Sequence, residues 1–161
     1  ARNLANKLDC PSNMLYAPVV VEHEMTKQML MKERSIRASF ELMRKCNVAV
    51  IGVGELTERS TMCTRGHITK EDIGVLRAAG FVGDIAMNPI RADGSWDSCP
   101  LTDRLLNASM EVLKNINNVI LVACGDSKID AIHAAMQTGC IDILITDETT
   151  ARKVLYKNTE E

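Results

Sequence analysis

The chain has 161 residues, 46% hydrophobic and 25% charged, with a formal net charge of −2. That length suits one domain, the apolar share supports a packed core, and the charge is too small for a disordered chain. No apolar run approaches the roughly 18–20 residues of a membrane-spanning helix, the opening ARNLANKLDC lacks the apolar stretch of a secretory signal, and the near-neutral charge argues against a basic nucleic-acid surface.

Taken in chain order, residues 2–9 read as the end of a helix and 13–22 (NMLYAPVVVE) as an extended apolar stretch interrupted by Pro18. Residues 23–45 carry Met25, Met29, Leu30, Ile36, Phe40 and Met43 at approximately helical spacing. CNVAVIGVG (46–54) is a continuous valine-rich run ending in glycines, the pattern of a parallel strand buried on both faces. Thr69 is placed to cap a helix over 70–79, and Gly80 to end it. A second strand follows at 80–87, then Pro89 and the turn signal Ala92-Asp93-Gly94. Residues 103–114 read as a helix with Leu105, Leu106, Met110 and Leu113 as its buried stripe. The remainder alternates: a strand at 118–125, a helix at 127–139 ending at Gly139, a strand at 141–146 and a closing helix at 147–156. Strands alternating with helices imply an α/β fold, an open, mostly parallel sheet with flanking helices.

Cys10, Cys46, Cys63, Cys99, Cys124 and Cys140 are scattered, with no CxxC or CxxH pair of the kind that binds zinc. Several lie in apolar settings, Cys124 in VILVACGD among them, where a thiol behaves as a small core residue. Free, reduced, mostly structural cysteines are the expectation, and with them a cytoplasmic protein. No cofactor and no metal are expected.

Ligands of open α/β sheets bind beyond the carboxyl ends of the strands. Four such ends can be read: Gly52-Val53-Gly54-Glu55, Gly83-Asp84, Gly125-Asp126-Ser127-Lys128 and Thr146-Asp147-Glu148. Glycine lets the backbone approach a ligand, and a helix start favours an anion. The third end offers the Lys128 ammonium just after a glycine turn, a seat for a phosphate or an anionic sugar. Asp84 is a natural acceptor for sugar hydroxyls. Each feature also has a plain structural use: GVG is not GxGxxG, Asp147 is placed to cap the last helix, Lys128 alone is an ordinary solvated residue, and Trp96 serves equally as a packing anchor or a loop contact.

In sequence order, VAVIGVG, GHITKEDIGVLRAAGFVGDI and CGDSKIDAIHAAMQTGCIDILITDETTARKVL, with MLYAPVVVE upstream, resemble the sugar-binding domain of the SorC (deoxyribonucleoside-regulator-like) family of bacterial transcriptional regulators. The resemblance spans about residues 13–156. It implies the fold of glucosamine-6-phosphate deaminase and ribose-5-phosphate isomerase, used there to sense a phosphorylated sugar. It assigns ligand hydroxyls to Asp84 and phosphate or sugar oxygens to Lys128, and sets the loop Gly52-Val53-Gly54 at the pocket's edge; Glu55 and Gly125, read from the strand ends, complete the candidate ligand-binding set. Two positions depart from the family pattern. Cys124 stands where the first of two glycines is usual, and Asn88-Pro89-Ile90-Arg91 replaces an aromatic pair and an aspartate, so that Arg91 reverses the expected charge.

The resemblance further implies that residues 1–161 are the C-terminal portion of the effector domain, without the first strands, the phosphate-cradling loop or the helix-turn-helix domain. The expected function is therefore effector sensing rather than catalysis, the effector being a sugar or phosphosugar. Operator DNA is engaged only through the absent N-terminal domain, no membrane is involved, and exposed apolar faces favour a homo-oligomer. The alternative is a sugar-phosphate isomerase or deaminase on the same fold, with Asp84 or Glu55 as base and Lys128 as phosphate anchor.

Overall fold

The computed structural model describes residues 2–157. A short helix α1 (Arg2–Lys7) leads into an extended segment, and only Val20 within that segment forms a β-bridge, to Leu105. The apolar pattern over 23–45 is divided between α2 (Glu24–Leu30) and α3 (Arg34–Met43). The reason is visible in burial: Ile36 and Phe40 dock beside Val21 and Leu106, whereas Met25 and Met29 stay exposed, so no single stripe runs through both helices.

The valine run at 46–54 is also divided. β1 (Val48–Ile51) and β2 (Val53–Glu55) are separated by Gly52 and enter different sheets. After the short α4 (Thr61–Thr64) comes α5 (Lys70–Ala78), opened by a reciprocal capping box in which Thr69 and Asp72 satisfy each other's backbone N–H. Gly80, at φ +84°, supplies the left-handed residue that ends it. β3 (Phe81–Ile85) and β4 (Asn88–Arg91) then form a hairpin. Pro89, which the sequence leaves between the second strand and the turn signal, lies in a strand of its own, β4, at the edge of the order β2-β3-β4, where a missing N–H is tolerated.

The helix expected at 103–114 is confined to α6 (Met110–Lys114). Upstream of it, Leu105 and Leu106 are extended: Leu105 bridges Val20, and the Leu106 N–H donates to Val19 O at 2.8 Å. β5 (Asn118–Val122), α7 (Ile129–Gln137), β6 (Ile143–Ile145) and α8 (Glu148–Lys157) complete the chain. The α/β class and the flanking helices are as the sequence implies. The parallel strands form one three-stranded sheet, β1-β5-β6, and an antiparallel three-stranded sheet, β2-β3-β4, continues from it through Gly52.

Helix α7 is the keystone of the core. Ala131, Ile132, Ala134 and Ala135 are at most 1% exposed and meet Val53, Ile85, Val119 and Leu121 from the two sheets. Small residues bring the helix close to β3; a Cβ added at Gly83 would lie 2.5 Å from Ala131 Cβ. The opposite face of the parallel sheet is not covered by the described residues, contrary to the two-sided burial read from the sequence. Val48, Val50, Val122, Ile143 and Ile145 on that face are between 44% and 63% exposed.

Adding one methyl at Gly83 forces α7 off the sheet. Gly83→Ala is expected to destabilise the chain by about 1–3 kcal/mol, the usual cost of overpacking. The check is the urea midpoint, which falls while the denaturant slope stays constant.

Candidate functional site

Strands β1, β5 and β6 are parallel, so their carboxyl ends lie together at one edge of the sheet. Gly52 follows β1, the segment Cys124–Lys128 follows β5, and Thr146 follows β6. The two sheets meet at this edge: the Ala86 N–H donates to Gly52 O across the junction, and β2 packs on the 3-10 turn Asp126–Lys128.

Asp84 is the site's central side chain, only 5% exposed on β3. Its register partner across β2 is Gly54, and a Cβ there would collide with Asp84 Oδ1. Glycine at that position is therefore what admits the carboxylate. Oδ2 accepts the Met87 N–H at 2.9 Å. That bond anchors the two-residue hairpin turn Ala86–Met87, where both φ angles are positive, +47° and +73°. Such turns normally take Asn-Gly or Gly-Gly, and each left-handed non-glycine residue costs about 1–2 kcal/mol. Side-chain bonds hold the turn from behind: Asn107 Nδ2 donates to Ala86 O at 2.9 Å, and Asn88 Nδ2 to Ile85 O at 3.0 Å and Ala108 O at 2.9 Å.

Burial pushes the Asp84 carboxyl up to about 6, against the pull of the Met87 N–H and the Lys128 ammonium, which both favour the charged form. Lys128 is half-buried at the end of the 3-10 turn, immediately before α7. The turn begins at Gly125, whose φ of +104° and ψ of 150° belong to a region that only glycine occupies readily. Of the residues read from the sequence, Gly52, Gly125 and Lys128 follow the ends of the parallel strands, Gly54 lies against the Asp84 carboxylate, and the Lys128 charge bears on that carboxyl. Glu55 is paired with Gly83, so strand alternation sets it on the face opposite the Asp84 carboxylate, the face against which α7 packs.

Arg91 is turned away from the site. Its guanidinium lies 4.2 Å above the Phe81 ring, forms an ion pair with Asp97 at 2.5 Å and donates to Ala79 O at 3.1 Å. The reversed charge noted in the sequence thus serves the hairpin's outer edge. All six cysteines are free, with Cys99 and Cys140 buried. Cys124 is exposed, not a core residue as its apolar flanks suggest, because the chain has left β5 before reaching it. Trp96 is half-buried beneath Lys114, whose ammonium lies 5.6 Å from the ring centroid.

Two features escaped sequence reading. Asp147 caps α8 as expected, accepting the Thr150 N–H at 2.9 Å, but Thr150 itself reaches further and accepts the Gly125 N–H at 2.9 Å. The Thr146 hydroxyl, at the same sheet edge, is buried without a hydrogen-bond partner among the described residues. A hollow of about 440 Å³ opens elsewhere, between α3 and the segment around Trp96. It contains neither Asp84 nor Lys128, and its charged lining is largely engaged: Lys27 donates to Thr102 O at 2.8 Å, Arg44 pairs with Glu41 at 2.8 Å, and Asp97 holds Arg91.

Residues 1–156 match the protein family described as "Putative sugar-binding domain". The chain is 30% identical over 138 residues to the deoxyribonucleoside regulator of Bacillus subtilis, covering 86% of this chain and 44% of the regulator. Against the erythritol catabolism regulatory protein EryD of Brucella abortus it is 26% identical over 152 residues, 94% of this chain and 48% of that protein. The structure superposes on a DeoR family transcriptional regulator from Listeria monocytogenes with a TM-score of 0.90 and 34% identity, covering 95% of this chain and 62% of that one. The chain thus spans about half the length of the curated relatives it matches.

The raised Asp84 carboxyl has a stability consequence with a definite sign. The folded state holds this proton more tightly than the unfolded chain, so the contribution is full below about pH 4 and is lost as pH rises towards 6. Asp84→Asn is expected to equal the wild type at pH 4 and to exceed it at pH 7.5 by up to about 3 kcal/mol. Urea unfolding at the two pH values checks this; profiles that run parallel would contradict it.

Proposed function

The chain belongs to the sugar-binding domain family of SorC/DeoR-type bacterial transcriptional regulators, and from that premise we propose that it senses a small sugar effector at the strand ends. The observation that carries this reading is the convergence of Asp84 and Lys128 over Gly52, Gly54 and Gly125. Asp84 commits Oδ2 to the Met87 N–H and has Oδ1 to accept from a ligand hydroxyl. The Lys128 ammonium supplies a positive charge for a sugar oxygen or a phosphate ester. We take the effector to be phosphorylated, since a lysine at a turn leading into a helix favours an anion.

Sensing requires no bond chemistry. An effector that binds one arrangement of the domain more tightly shifts the population towards it and, by linkage, alters operator affinity in the whole regulator. DNA is engaged through an N-terminal domain outside this chain, and the setting is the cytoplasm. The alternative, a sugar-phosphate isomerase or deaminase, would use Asp84 or Glu55 as its base, and a carboxyl near 6 at Asp84 suits proton transfer at neutral pH. Glu55 sits on the neighbouring strand β2, its side chain on the opposite face of the sheet from Asp84. Turnover of a sugar phosphate would favour catalysis over sensing.

A thermal-shift panel of erythritol, ribose, deoxyribose and sorbitol, each with and without its phosphate ester, tests the reading. A true effector at a hundredfold excess over its Kd adds about 2.7 kcal/mol to stability. The expected result is a rise with one phosphate ester that Lys128→Ala abolishes. No rise with any compound, in this chain and in the full-length regulator, would overturn it.

For the 161-residue chain itself, we propose self-association through the uncovered face of the parallel sheet. Parallel sheets are ordinarily covered on both sides, and this face presents Val48, Val50, Val122, Ile143 and Ile145 without a charge among them. The occupant is a second copy, since two identical apolar faces bury each other. Sedimentation is expected to show concentration-dependent dimers that Val50→Lys with Ile145→Lys disperses; a wild-type chain that is monomeric at high concentration would refute the assignment.

A further inference from the structure

We infer that Thr150 is a positioning residue for the effector site, its hydroxyl pinning the Gly125 turn and so fixing where Lys128 enters beside Asp84. The inference deepens the sensing role and rests on it for its functional meaning. Thr150 is 1% exposed on α8, and its hydroxyl is committed on both sides. It donates to Asp147 Oδ2 at 2.7 Å and accepts the Gly125 N–H at 2.9 Å. Donation to a carboxylate orients the hydroxyl, which leaves its lone pairs for the glycine amide.

The pin acts where the backbone has least freedom. Gly125 is held in a glycine-only conformation, and the 3-10 turn locks Lys128 to it, the Lys128 N–H donating to Gly125 O at 3.0 Å. The pinned amide and the ammonium-bearing residue are thus two ends of one turn. Helix α8 grips the same turn again through Lys153–Asp126 at 2.6 Å, and the first turn of α7 through Lys157–Asp130. Those pairs are exposed and contribute little. The Thr150 hydroxyl is the more sheltered contact, from a side chain that is itself buried, and without it the Gly125 N–H loses that acceptor.

The readout is the titration of Asp84, followed by carboxyl carbon NMR on the 161-residue chain without any ligand. Lys128 is the charged side chain whose field bears on Asp84, while Met87 supplies the facing N–H. Lys128→Met is expected to raise the Asp84 midpoint. Thr150→Val, of the same shape but without the hydroxyl, is expected to raise it in the same direction, Thr150→Ser to restore it, and Thr150→Val to add nothing in the Lys128→Met background. If Thr150→Val does not fold, Asp147→Ala at the exposed end of the relay carries the same expected direction. A wild-type midpoint in Thr150→Val overturns the inference, as does an unmoved midpoint in Lys128→Met. Because no ligand enters the experiment, failure of the sensing reading shows in the thermal-shift panel and not here.

Discussion

A carboxylate with almost no access to water is the constraint on which the strand ends depend. Asp84 remains buried because its surroundings lack side chains where they would obstruct it: Gly54 lies directly across β2, and Gly83 allows α7 to close over the neighbouring position. The cost of burying a charge is offset in part by the Met87 amide and the Lys128 ammonium. The first depends on a hairpin turn of two left-handed non-glycine residues, which is itself unfavourable, and the second on a turn that glycine alone adopts readily. Stability is given up locally at the hairpin turn that holds the Met87 amide to Asp84.

The site is also where the two sheets are joined. Gly52 ends a parallel strand and begins an antiparallel one, and Ala86, next to Asp84 on the same hairpin, donates to Gly52 O. Helix α7 follows directly on Lys128 and packs its alanines against both sheets. A ligand that draws Asp84 and Lys128 together therefore acts on the antiparallel sheet and on the helix that spans the junction. The same connection gives Thr150 its significance, since it ties α8 to the turn from which α7 departs.

Much of this was legible in the sequence, because the strongest signals are local. Thr69 and Asp72 announce a helix start, Gly80 and Gly139 announce helix ends, and the valine-rich runs announce strands. Asp84 and Lys128 stand out because each follows glycine at a strand end. What escaped was set by long-range packing. Nothing local says that the apolar spacing over 23–45 serves two helices, because the break depends on Val21 and Leu106 meeting Ile36 and Phe40. Pro89 reads as lying outside any strand until β4 is known to be an edge. Glu55 is adjacent to Gly54 in sequence and on the opposite face in space, a distinction that register alone decides. Thr150 is one threonine of a TT pair, and only the fold brings it to Gly125.

The arrangement of the strands also dictates an order of assembly. Hairpin β3–β4 closes through a two-residue turn, an event of about 1–10 μs in isolated hairpins. The parallel ladder is a different matter, since Val48 pairs with Asn118 and Ile120 with Ile143. Loop-closure entropy for such distant partners must be met before their contacts repay it. The strand that carries Asp84 can therefore form early, while the sheet edge that brings Gly52 and Gly125 to it is among the last parts of the molecule to appear.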